Sequence, residues 1–191
     1  KPMGYDYLIE TNLKLFKQRV RDTLGIEPNI EPETGKPWDY RPMLGVMYAK
    51  ELEGYDYCGH TDFDVVYGDV SKYEPVGYDI WSNHHNYICG FWTLYKNTEK
   101  VNNLFRLCDT WKERVLDERA NGWAEMDFTR TVDHQHNLGN IKRIYTFYQP
   151  RSQDDDSPIN YKDGKLYDGE DEIMSFHFRH TKRYPIERYT I

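Results

Sequence analysis

The sequence predicts an α/β fold in which a mixed, mostly parallel central sheet is flanked by helices. Three observations carry that expectation. Apolar runs of helical period alternate along the chain with short runs rich in β-branched and aromatic residues. Helices placed between strands supply the crossovers that parallel pairing requires. The length, 191 residues, suits one domain with a full hydrophobic core, and no internal repeat divides it.

The elements follow in order. Thr11 or Asn12 is placed to cap a helix that carries Leu13, Phe16, Val20 and Leu24 on one side, with Gly25 ending it. A loop rich in Pro and Glu spans residues 27–36. Asp39 and Pro42 open a second helix bearing Met43, Val46, Met47 and Leu52. Residues 57–69 read as a strand running into a Gly-Asp turn. Residues 78–81 and 87–95 are further strands. Thr98 caps a third helix, in which Val101, Leu104, Phe105, Cys108, Trp111 and Val115 keep a helical period. Residues 124–134 form a fourth helix, and 141–148 and 173–178 form strands. Between those two strands, residues 151–172 are polar and rich in Asp and Gly, as expected of a flexible loop or small hairpin and a candidate lid.

Charge and composition exclude some functions. The net charge is −7, and no Lys/Arg run is long enough to track a nucleic acid, so none is expected as partner. No apolar run reaches the roughly 18 residues that span a bilayer. No signal peptide is legible, although Lys1 is not a natural start and prior removal of a leader stays open. The three cysteines, Cys58, Cys89 and Cys108, lie far apart, as buried thiols of a reducing, cytoplasmic compartment would. The 17 tyrosines offer faces that suit sugar rings, and they equally build cores.

The most informative stretch is Asp62-Phe63-Asp64, set between Tyr57-Cys58 and Val65-Val66. At strand period the two aspartates share a face, roughly 6 to 7 Å apart along the chain. Converging carboxylates repel, and a divalent cation relieves the repulsion. The bland alternative is a pair solvated at a strand-to-loop junction, or Asp62 capping a turn. The apolar flanks favour the cation.

The ordered set Asp39-Tyr40-Arg41-Pro42-Met43-Leu44-Gly45, Gly54-Tyr55-Asp56-Tyr57, His60 to Asp69 and Gly90-Phe91-Trp92-Thr93-Leu94-Tyr95-Lys96-Asn97 resembles small metal-dependent glycosyltransferases of the GT-A fold, among them enzymes that build viral capsid glycans. The resemblance covers about residues 10–183. It implies a UDP-sugar donor, a glycan acceptor, and Mn²⁺ or Mg²⁺ held by Asp62 and Asp64 against the diphosphate. For a viral chain it implies the host cytoplasm. Ser175 to Arg183 is similar to a late His-Phe-x-x-x-Lys stretch of glycogenin-like enzymes. Carried over, His177 is the third metal ligand and Lys182 contacts the diphosphate; His180 stands where that family has Gly. The alternatives are a sheet-bonded His177 and a solvated basic end.

The acidic segment around Glu125 and Asp127 resembles the one such enzymes hold beneath the sugar. Either acid is a candidate for the catalytic carboxylate, with Asp127 slightly favoured. Acids in a first helical turn are also favoured by the helix dipole alone. The resemblance places Asp39 and Arg41 on the nucleotide, although Asp39 equally reads as a helix cap. His84 and His85 lie between two strands, where they could meet the acceptor or simply be exposed. The base-cradling strand and loop that open GT-A proteins have little counterpart before Tyr7, which leaves the base open beyond a uridine default. Two rivals are a metal-dependent phosphoesterase or nucleotidyltransferase, and a non-catalytic carbohydrate-binding domain. The first lacks a second metal cluster or a phosphate-cradling Gly-rich loop. The second leaves a metal site beside a basic cluster unexplained.

Overall fold

Helix α1 (Leu13–Leu24) starts where the sequence places it: the Asn12 side chain accepts the Leu15 N–H at 3.0 Å. It ends at Gly25, whose φ of 66° makes the left-handed turn that closes the helix. Phe16, Val20 and Leu24 face the core, and Phe16 meets Tyr40 edge-on. A computed structural model describes residues 12–31, 35–73, 75–119, 121–146 and 159–177.

The second predicted helix takes a tighter form. Residues Lys36–Met43 wind as a 3₁₀ helix, and only Leu44–Met47 continues as α2. Pro42 within the run has no N–H for an α-type bond. Tyr40, Met43 and Met47 are buried as expected.

The central sheet joins β1 (Tyr57–Thr61), β4 (Trp92–Lys96), β3 (Ile80–Ser82) and β5 (Arg143–Tyr145) in that spatial order. Strand β2 (Val65–Tyr67) lies outside it. β1–β4 and β3–β4 are antiparallel, and β3–β5 is parallel. The fold is therefore mixed α/β, but its described sheet is not mostly parallel, which corrects the sequence expectation. The reason is connection length. Residues 83–91 are too few for a crossover helix, so β4 returns beside β3 as an antiparallel neighbour. Only the long passage from β4 through the helices brings β5 back parallel.

The third predicted helix is cut into α3 (Glu99–Asn102), a 3₁₀ turn (Leu104–Leu107) and α4 (Trp111–Leu116). All its predicted core residues are buried nonetheless. The Asn103 side chain donates to the Glu99 carbonyl at 2.8 Å, the local competition that makes Asn a poor helix interior. Helix α5 (Asp127–Asn137) follows and packs Phe128 and Val132 inward.

Strands β6 (Ile159–Lys162), β7 (Lys165–Asp168) and β8 (Asp171–Ile173) form an antiparallel sheet of their own. The hairpin reading thus holds for residues 159–172; residues 151–158 lie outside the described ones. The predicted strand at 173–178 divides. Ile173 ends β8, and β9 (Ser175–His177) pairs antiparallel with β2. Leu166, Ile173 and Phe176 make a second small core. Among the described residues no helix is long and apolar enough to cross a membrane.

Candidate metal centre

Asp62 follows the last residue of β1, and Asp64 ends the turn that leads into β2. The sequence expectation placed both in one strand. Here a turn at Phe63 and Asp64 breaks the strand between them, and Phe63 is fully exposed. The carboxylates converge because of the turn, not because of strand alternation.

The third member comes from far along the chain. Pairing of β2 with β9 sets Val65 opposite His177. His177 is buried, and its Nε2 lies 3.2 Å from Asp64 Oδ1 and 3.7 Å from Asp62 Oδ2. Phe91 covers the imidazole with ring centroids 5.2 Å apart. One ligand atom from each of Asp62, Asp64 and His177 lies within 4.8 Å of the others. Two carboxylate oxygens and an imidazole nitrogen form a donor set that fits Mn²⁺ and, through the oxygens, Mg²⁺.

Arg41 braces this cluster. Its guanidinium pairs with Asp62 Oδ1, so the two oxygens of that carboxylate serve different neighbours. Glu125 stands beside it: Gly90 N–H donates to Glu125 Oε1 at 2.9 Å. A Cβ at Gly90 would collide with both the Arg41 guanidinium and the Glu125 carboxylate, so any larger residue would displace one of them.

The loop holding Gly90 and Phe91 is pinned by buried hydroxyls. Ser82 Oγ accepts the Cys89 N–H at 2.8 Å and donates to the Tyr87 carbonyl at 3.0 Å. Thr93 Oγ1 reaches the Cys89 carbonyl at 2.9 Å, and Thr129 Oγ1 accepts the Ile88 N–H at 2.9 Å. Sequence reasoning gave Ser82, Thr93 and Thr129 no part in the site. Their signal was weak: small hydroxyl residues in otherwise apolar runs.

His60 lies next to the cluster but takes no part in it. Its Nε2 pairs with the Cys89 carbonyl at 3.0 Å, which assigns the ring proton to Nε2. Burial, and secondarily the Arg41 charge, push this imidazole down to about 3, so it is neutral. Burial also raises the Tyr67 phenol to about 12, and Tyr67 hydrogen-bonds the Thr61 hydroxyl at the end of β1.

The remaining predicted site residues fall elsewhere. Asp39 is not at the cluster. It is 2% exposed, pairs with buried Lys36 at 3.0 Å and accepts the Asn121 N–H at 3.1 Å, a buried structural pair. Asp127 pairs with Arg130 at 2.8 Å and Arg114 at 3.3 Å at the start of α5. His84 stacks on Tyr87 at 3.6 Å in the loop after β3, and His85 is its neighbour; neither belongs to the cluster. Lys182 and Arg183 lie outside the described residues.

A mixed α/β fold that joins one acidic turn to a histidine from a distant strand defines a class: domains with a candidate divalent-cation centre. The chain belongs to the family described as a family of unknown function (DUF6625), whose model matches residues 7–183. No curated protein and no solved structure matches the chain.

Proposed function

We propose that this protein is a metal-dependent glycosyltransferase that moves a hexose or deoxyhexose from a UDP-sugar to a hydroxyl of a glycan acceptor. The convergence of Asp62, Asp64 and His177 is the observation that carries the reading. These three side chains would hold Mn²⁺ or Mg²⁺. When bound, such a cation stabilises the negative charge that grows on a departing nucleoside diphosphate. Arg41 holds one oxygen of Asp62 and so orients the carboxylate. The GT-A-like character rests on the order of the motifs.

Of the two acids weighed for catalysis, Glu125 is the better placed. It stands beside Arg41 and is fixed by Gly90, whereas Asp127 is engaged by two arginines. An inverting transfer needs such a carboxylate to take the acceptor proton. A retaining one needs it to stabilise positive charge on the sugar ring.

The test is calorimetry with UDP in the presence and absence of Mn²⁺, followed by a panel of UDP-sugars scored for metal-dependent hydrolysis. Metal-dependent UDP binding and release of one sugar are expected. Sugar binding without metal or nucleotide would replace this reading with a carbohydrate-binding domain, and hydrolysis of phosphoesters lacking a sugar would replace it with a phosphoesterase.

A further inference from the structure

Four of the five tryptophans are hidden or partly hidden, but Trp38 is 62% exposed. Leaving an indole in water forgoes the burial that makes this residue stabilising elsewhere. Its setting is specific. Trp38 lies in the 3₁₀ helix Lys36–Met43, whose period of three stacks residues i and i+3 on one face. Trp38 and Arg41 are such a pair, with Arg41 Cζ 5.8 Å from the ring centroid. Arg41 in turn holds Asp62 of the metal cluster. Behind the indole stands Gly35, at φ 64°; a Cβ there would sit 3.3 Å from the ring carbon Cζ3. Lys36, Asp39, Tyr40, Pro42 and Met43 of this helix are buried and anchor the platform, while Pro37 is exposed beside Trp38.

We infer that Trp38 is a stacking platform for a pyranose ring of the acceptor glycan, at the edge of the proposed transfer site. The inference rests on the transferase reading for its place in the reaction, but its binding chemistry stands apart from it. A pyranose has one weakly apolar C–H face and a rim of hydroxyls. The open indole takes the face while water keeps the other side of the sugar. Arg41, beside the indole, offers a donor to the hydroxyl rim. Gly35 and Arg41 hold the ring in place before the ligand arrives, which lowers the ordering cost of binding.

The experiment is a fluorescence titration of the full chain with Mg²⁺ present. The probes are methyl pyranosides of glucose, galactose, mannose, xylose and fucose, and neutral disaccharides built from them. At least one probe should give a saturable blue shift of the exposed-tryptophan emission. Trp38→Ala should remove the shift and, by competition calorimetry, weaken that sugar about tenfold. Trp38→Phe should retain most of the affinity. UDP–Mg²⁺ binding should be unchanged in both variants, which also shows that they fold. No shift with any sugar, or unchanged sugar affinity in Trp38→Ala, overturns the inference. So does a saturable shift produced by uridine alone, which would make the ring a base platform. If UDP–Mg²⁺ binding is absent in the parent chain, the transferase reading falls while the sugar titration still decides Trp38.

Discussion

Asp62 Oδ2 lies 3.7 Å from His177 Nε2, although most of the fold stands between them in sequence. The contact exists because β9 pairs with β2, the strand that leaves the acidic turn. Gly68 extends that ladder by donating to the Met174 carbonyl at 3.0 Å. A cation bound here would therefore tie the end of β1 to the end of β9. Binding to the folded state alone stabilises it by mass action, by about 2.7 kcal/mol at a hundredfold excess over Kd. Saturating Mn²⁺ should raise the melting temperature, and chelation should reverse the rise. An unchanged melting curve would count against the site.

Asp64→Asn should weaken Mn²⁺ binding and lower sugar transfer by orders of magnitude, since it removes a charged ligand atom facing His177. Manganese binding followed by electron paramagnetic resonance checks the first effect and single-turnover transfer the second. Full activity at limiting metal would refute the role.

His177→Ala should raise the Mn²⁺ concentration needed for half-maximal activity about 10- to 100-fold, the scale on which metal affinity responds to changes in ligand support. A metal titration identical to that of the parent chain would leave His177 as a packing residue under Phe91.

Glu125→Gln should lower kcat strongly while UDP affinity stays near that of the parent, because its interaction is made chiefly in the transition state. Asp127→Asn should change kcat little. It weakens partly exposed pairs to Arg114 and Arg130, worth about 0–1 kcal/mol of stability. Loss of turnover in Asp127→Asn with normal turnover in Glu125→Gln would reverse the assignment.

Asp39→Ala should destabilise the fold by about 3–5 kcal/mol, because it strands the buried Lys36 ammonium without its carboxylate partner. Urea unfolding measures the loss. If Asp39 instead touched nucleotide, the variant would keep its stability and lose UDP affinity.

The His60 imidazole makes stability depend on pH with a definite sign. Its folded value is depressed to about 3, against 6.5 for the free side chain. Its stabilising contribution is complete above pH 6.5 and is lost as the pH falls toward 3, because the unfolded chain takes the proton first. The slope is at most about 1.4 kcal/mol per pH unit for one group. Urea midpoints at pH 7 and pH 5 should differ more in the parent than in His60→Asn. Equal differences would remove His60 from the account.

By itself the sequence determined the Gly25 end of α1, the inward-facing residues of the broken third helix and the acidic pair Asp62 and Asp64; His177 joined that pair only through the family resemblance, and the choices between Thr11 and Asn12 and between loop and hairpin stayed open. What the sequence determined follows from local chemistry: a cap, a period and a residue type are properties of neighbours along the chain. Only the tertiary structure decided the rest. It set the pairing of the sheet, because which strand lies beside which depends on the length and course of the connections. It turned Asp39 inward onto Lys36, distinguished Glu125 from Asp127 by their partners, and set Trp38 over Arg41 at the edge of the cluster. Those outcomes depend on which side chains from distant segments arrive at the same place, and spacing along one strand or helix carries no record of that.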